Sequence, residues 1–205
     1  MKRMLYVGIE YEIRFVTSNF DNLKLIMDSF DKLDFFNRSV RIENDFYFEC
    51  LTKNNSDLKY CINNYDTNNL GRLEFKKRIC TLGNINISLE MGHDCMASSI
   101  PIVMNRTPAF REYNNIFNLD KVTYLKQRRN SLVHVYEGSE IHASIDTLMS
   151  GRNKIIFVEF ETSVPSPDSI ENLKKISDDF KTLTKLNEYT GNKFDYLFSK
   201  DGDRT

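Results

Sequence analysis

The 205-residue sequence has no tryptophan, three histidines, four cysteines, four prolines and eight glycines. These scarcities close off several chemistries. Cys50, Cys61, Cys80 and Cys95 are spaced by 11, 19 and 15 residues with no CxxC or HxxxH, so neither a zinc site nor a disulfide framework is expected. Reduced, half-buried thiols are the expectation instead. His134 and His142 lie four residues either side of Gly138 and read as surface or core histidines. Ser88 and Ser131 have no His-Asp partner pattern, which leaves nucleophilic catalysis without support. Long apolar runs are also missing. Nothing approaches the ~18 residues of a membrane span, and Glu10 interrupts the opening segment too early for a signal peptide. A cytoplasmic protein without membrane contact is expected. Net charge is nearly absent as well: 28 Lys+Arg against 29 Asp+Glu leave −1, which excludes a polybasic nucleic-acid binder acting by bulk charge.

What is present is material for a core. Hydrophobic residues make up 40 %, with 15 Phe and 10 Tyr, enough for one domain. Asn is abundant at 21 residues, and the pairs Asn54-Asn55, Asn63-Asn64 and Asn68-Asn69 read as exposed loops. Strict period-two alternation marks strands over 5–16, 38–51, 71–81, 84–91, 121–136, 140–148 and 154–163. Two helical patterns interrupt them. Phe20, Leu23, Met27, Phe30 and Leu33 recur at helical spacing after Ser18 or Asn19 as the cap. Ile170, Leu173, Ile176, Phe180, Leu183 and Leu186 form a second stripe over 168–187, entered through Ser166-Pro167-Asp168. The stretch 92–120 is the least regular and is expected to hold loops and a short helix. No linker or repeat divides the chain, so residues 1–198 are read as one domain and 199–205 as a flexible tail.

The polar phases of the strands carry the information. Glu10, Glu12 and Arg14 oppose Val7, Ile9, Tyr11, Ile13 and Phe15; Arg41, Glu43 and Asp45 oppose Val40, Ile42 and Phe46. Arg72, Glu74, Lys76 and Arg78 oppose Leu73, Phe75 and Ile79, with Lys77 on the apolar phase. Asn86, Ser88 and Glu90 oppose Ile85, Ile87 and Leu89, and Glu159 and Glu161 oppose Ile156, Val158 and Phe160. Carboxylates one pleat apart, roughly 7 Å, repel unless a cation lies between them. Solvated surface charge is one reading. The other is an antiparallel β-barrel with apolar faces outward under two helices and a charged bore. One end of such a bore would hold a divalent cation through carboxylate oxygens, and the other would hold polyphosphate through Arg and Lys.

The ordered set Glu10-Tyr11-Glu12-Ile13-Arg14, then Tyr124-Leu125-Lys126-Gln127-Arg128, then Ser144-Ile145-Asp146-Thr147, then Val158-Glu159-Phe160-Glu161 resembles the triphosphate tunnel metalloenzymes. The tail Lys193-Phe194-Asp195-Tyr196-Leu197 fits the same pattern. Within that superfamily Ile145-Asp146-Thr147 and the Lys126/Arg128 strand look nearer to the RNA 5′-triphosphatases of fungal and viral mRNA capping. The resemblance implies a mainly β (α+β) fold, a closed antiparallel β-barrel with flanking helices. It also implies metal-dependent hydrolysis of the γ-phosphate of triphosphate-ended RNA, and of NTPs.

By the same resemblance Glu10, Glu12 and Glu161 would hold Mg²⁺ or Mn²⁺, and Glu159 would orient the attacking water. Arg41, Lys76, Arg78, Lys126 and Arg128 would clamp phosphate. Asp146 and Glu90 would hold basic residues or waters in place. A guanylyltransferase and a methyltransferase are the implied partners, as separate proteins or as further domains of one polypeptide, and a viral source with residence in a viral factory or virion is compatible. Three rival readings stay open: a tripolyphosphatase or thiamine triphosphatase, a class IV adenylyl cyclase, or a non-catalytic module that binds RNA ends.

Overall fold

The computed structural model describes residues 5–48, 56–63, 70–96, 122–136, 139–150, 153–163, 166–191, 193 and 196. Nine strands and two helices appear among them: β1 (Leu5–Thr17), α1 (Asn22–Lys32), β2 (Phe36–Phe48), β3 (Ser56–Asn63), β4 (Leu70–Leu82), β5 (Ile85–Met96), β6 (Val122–Tyr136), β7 (Ser139–Ser150), β8 (Asn153–Thr162), α2 (Pro167–Thr184) and β9 (Asn187–Glu188). Every strand pairing is antiparallel, in the order β5-β4-β3-β2-β6-β7-β8-β1-β9. β1 also pairs with β5. Its first half, Leu5 to Glu12, lies against β5, and its second half, Tyr11 to Thr17, lies against β8. β9 takes up the β1 edge beyond β5, opposite Phe15 and Val16.

Alternation decides which face each strand buries. Ile13, Phe15, Ile145, Ile156, Val158 and Phe160 turn outward, where Ile26 and Phe30 of α1 and Leu173, Ile176 and Phe180 of α2 cover them. The rings of Phe15, Phe30, Phe35, Phe160 and Phe180 pack with centroids 5.0–6.0 Å apart, largely tilted or edge-to-face. Fully buried side chains of this size each contribute about 1.5–3 kcal/mol. No described helix is long and apolar enough to cross a membrane.

α2 begins as its sequence foretells. Ser166 caps it through Ser169 N (3.0 Å), Ser169 Oγ returns to the cap, and Pro167 supplies the first turn. It stops at Thr184, before Lys185 in the left-handed region, rather than running to 187. α1 starts later than expected. Its cap is Asp21, which makes no side-chain capping bond, while Asn19 Oδ1, two residues upstream, accepts from Asp21 N (3.0 Å). Gly83, at φ 62°, makes the tight turn between β4 and β5.

Two expectations need correction. Residues 56–63 form β3, a strand that their Asn-rich flanks concealed, and Asn63 ends it instead of lying in a loop. Cys80 is exposed, not half-buried. β5 takes in 92–96 of the irregular stretch; 97–120 and the expected tail 199–205 lie outside the described residues.

Candidate active site

Strand register places the charged residues in successive rungs. Glu161 lies opposite Glu12 on β1 and His142 on β7. One rung on, Glu159 lies opposite Arg14 and Ser144; the next pairs Phe157 with Val16 and Asp146. Asp146 faces Arg129 on β6, and Arg129 in turn faces Arg41 on β2. On the other side of β1, Glu10 pairs with Ser88, and Glu90 with Lys76. Phase and register therefore gather residues 10, 12, 14, 76, 129, 146, 159 and 161 from distant parts of the chain.

These groups are buried, and they answer one another. Glu12 is 2 %, Glu159 5 % and Asp146 0 % exposed, a burial that isolated carboxylates do not tolerate. Arg14 reaches Glu12 (2.5 Å) and Glu159 (2.6 Å) and donates to the Gly191 carbonyl (2.6 Å). Lys76 contacts Glu10 and lies 2.6 Å from Glu12. Arg129 makes a two-pronged contact with Asp146 at 2.7 and 2.6 Å and lies 3.4 Å from Glu159. Lys193 closes the group, 2.5 Å from Asp146 and 2.7 Å from Glu159.

The titration behaviour follows from this packing. Burial pushes Glu159 toward the neutral form, but Lys193, Arg14 and Arg129 outweigh it and hold the carboxyl well below the ordinary range. Asp146 is lowered against its burial by Arg129 and Lys193. Lys76 is raised well above its ordinary value, since Glu10 and Glu12 more than offset its burial. Glu161 goes the other way: burial and the adjacent Glu10 raise it well above the carboxylate range. Glu10 is lowered, with Lys76 and a hydrogen bond from Glu161 overcoming its burial.

Glu10 Oε2 and Glu12 Oε1 are buried and accept no hydrogen bond, although the Lys76 and Arg14 cations touch them. Among the described residues no three His, Cys, Asp or Glu side chains converge as a metal centre. In this arrangement the ammonium of Lys76 is in contact with both Glu10 and Glu12.

Of the phosphate-binding residues expected from sequence, Lys76 enters the cluster, and Arg78 is half-buried with its Nε enclosed and making no hydrogen bond. Arg128 is a correction. It is exposed, and the adjacent Arg129 turns inward. The signal was Leu132, which shares the phase of Arg128 and packs in the helix-covered core, so Arg129 belongs to the opposite face. For Arg41 and Lys126 only the backbone is described, opposite Arg129 and Met149 respectively. Glu90 lies opposite Lys76 and helps raise it. Lys193 had no assigned role in the sequence reading. It sits just beyond the second apolar cluster, where Phe157 with Val16, Leu148 and Ile155 meets Tyr189 and Tyr196.

No sequence-family profile matches the chain, and no curated protein matches it in sequence. Solved structures do match in fold. A Hippeastrum protein proposed to be an adenylyl cyclase, with a dominant triphosphatase activity, superposes with a TM-score of 0.64 at 17 % identity over 94 % of this chain and 96 % of its own. A protein proposed to be an adenylate cyclase from Bacillus halodurans gives 0.64 at 14 % identity, covering 94 % and 98 %. The RNA triphosphatase domain of a mimivirus mRNA capping enzyme gives 0.51 at 10 % identity, covering 86 % and 88 %. The chain has the triphosphate tunnel fold. The tunnel fold accounts for an antiparallel, β-rich α+β architecture with two described helices, and it places the buried acid–base cluster on the face turned away from those helices.

Proposed function

We propose that this chain is a divalent-metal-dependent triphosphate hydrolase whose substrate is triphosphate-ended RNA, with free NTP as a second substrate. One observation carries the hydrolase reading: buried carboxylates and buried cations meet in one cluster on the inner face of β1, β7 and β8. A purely structural face gains little from burying so many charges, because desolvation offsets most of the ion-pair energy. The pairing of β1 with both β8 and β5 supports a closed barrel around that cluster.

Glu10 Oε2 and Glu12 Oε1, buried, without a hydrogen bond and touched by the Lys76 and Arg14 cations, are hard oxygen donors of the kind that Mg²⁺ or Mn²⁺ takes. When bound, the metal would supply charge neutralisation at a terminal phosphate oxygen. Glu10, Glu12 and Glu161 would hold it. Arg78, Lys76 and Arg129, with Arg41 opposite Arg129 on β2, would neutralise the remaining phosphate oxygens, whereas Lys126 shares the outward phase of Arg128. Glu159, fixed by Arg14 and Lys193, would orient a water toward the terminal phosphorus. Asp146 and Glu90 would act through their neighbours, holding Arg129 with Lys193, and Lys76. Water attack breaks the bond to the bridging oxygen and releases inorganic phosphate and a diphosphate end.

RNA is favoured by the Ile145-Asp146-Thr147 strand and by the likeness to the mimivirus RNA triphosphatase domain. A guanylyltransferase and a methyltransferase, on this polypeptide or another, would then take the product onward. A small-molecule triphosphatase is the second reading, favoured by the larger TM-score with the Hippeastrum protein. Phosphate release from triphosphate-ended RNA, ATP, tripolyphosphate and thiamine triphosphate decides between them. Hydrolysis of the last two with RNA untouched would overturn the RNA assignment. Cyclic AMP formation from ATP would point to a cyclase.

A further inference from the structure

We infer that Lys76 is an exchangeable counter-ion: it neutralises Glu10 and Glu12 when no metal is present and moves to the bound polyanion when a divalent cation takes those carboxylates. The inference rests on the hydrolase reading and adds a coupling that the reading does not itself require. Lys76 contacts Glu10 Oε2, an oxygen that accepts no other hydrogen bond, and lies 2.6 Å from Glu12 Oε2. The other cations of the cluster hold further partners. Arg14 bridges Glu12, Glu159 and the Gly191 carbonyl, while Arg129 and Lys193 both hold Asp146. Lys76 is the least buried of these four, with a quarter of its side chain exposed, and its flexible stem carries a point charge that can swing without a paired geometry to break.

A charge inventory shows why the exchange is needed. Among the groups in direct contact, the carboxylates of Glu10, Glu12, Asp146 and Glu159 meet the cations of Arg14, Lys76, Arg129 and Lys193, four against four. A divalent cation entering at Glu10 and Glu12 duplicates the charge of Lys76 there and repels it. A polyanion entering alone must draw Lys76 away from two buried carboxylates, leaving Glu12 on Arg14 alone and Glu10 without its contacting cation. Each ligand therefore removes the obstacle to the other, and metal and polyanion bind with positive, reciprocal coupling.

The test is Mn²⁺ binding to the full chain, measured by the loss of the free-ion paramagnetic resonance signal, for native protein, Lys76→Met and Lys76→Arg. Removal of the internal cation is expected to tighten binding of Mn²⁺ alone by about tenfold, inside the roughly 5–150-fold range typical of coupled sites. The same change weakens binding of an imido-linked triphosphate analogue in the presence of Mg²⁺. Lys76→Arg retains weak binding of Mn²⁺ alone. A lysine with a merely structural role would loosen both ligands together, and Mn²⁺ affinity unchanged or lowered in a folded Lys76→Met protein overturns the exchange. A second measurement needs no substitution: the Lys76 Nζ resonance of the native chain shifts on addition of Mg²⁺ alone, and a resonance that stays in place as Mg²⁺ saturates is equally fatal. Failure of the hydrolase reading looks different. Native protein would then release no phosphate from any triphosphate, whatever the Mn²⁺ affinities show.

Discussion

The two faces of β1 make opposite use of the same thirteen residues. Outward, Ile13 and Phe15 vanish under α1 and α2, and their neighbours Phe30, Phe160 and Phe180 interlock by shape. Inward, Glu10, Glu12 and Arg14 are nearly as buried but are held by groups of opposite charge and, from Arg14, by the Gly191 carbonyl. The outer face is held by the exclusion of water, which is non-directional and forgiving of small shifts. The inner face is held by charges that must be matched one for one. Packing defects on the first should cost stability, and charge defects on the second should cost chemistry.

Phe160→Ala should produce the largest effect. It empties the centre of the outer cluster and is expected to remove about 3–5 kcal/mol of stability, read from the urea midpoint, while the rate per folded molecule holds. Glu10→Ala and Glu161→Ala invert the pattern. Phosphate release is expected to fall by two orders of magnitude or more, about 2.7 kcal/mol of barrier, with far-UV circular dichroism preserved. A Glu10→Ala protein that kept native rates would end the proposed mechanism.

Acid should separate the faces next, because only the inner one titrates. Glu159 and Glu10 are lowered from 4.5, and Asp146 from 3.8, so their contributions are complete above those values and are lost as pH falls through the folded ones. Glu161 is raised, so its contribution has the opposite sign, present below 4.5 and lost as pH rises through its folded value. Three groups against one predict a urea midpoint that falls as pH drops below 4.5, and a midpoint flat from pH 6 to pH 3 would contradict the charge-matched inner face. The smallest effect belongs to the adjacent arginines. Arg128→Ala, on the exposed phase, should stay within about 0.5 kcal/mol of native stability, and Arg129→Ala should exceed it in both stability and rate.

The face assignments of β1, β5 and β8 were legible in sequence because each strand alternates cleanly and a single phase error would bury charge under the helices. The capping of α2 was legible for a similar reason, since Ser166-Pro167 is a local signal. β3 was not, although Leu58, Tyr60 and Ile62 do alternate, because only eight residues separate its Asn-rich flanks. Arg129 was passed over because Lys126 and Arg128 came from the family resemblance, whereas the buried Leu132 fixes the phase of the strand. Lys193 carries no periodic signal. Its partners lie 34 and 47 residues away, and only a chain folded back past Tyr189 brings it to them.

The divided pairing of β1 also governs when the protein can assemble. β1 is made before either of its partners: it finds one only after Met91 and His93 have been made, and the other only after Thr162. Such distant pairing is slow, because loop closure must precede any return from contacts. Glu10 and Glu12 ride on that strand, so they meet Glu161 only when β1 pairs with β8. Competence for catalysis should therefore emerge in refolding no earlier than that long-range pairing.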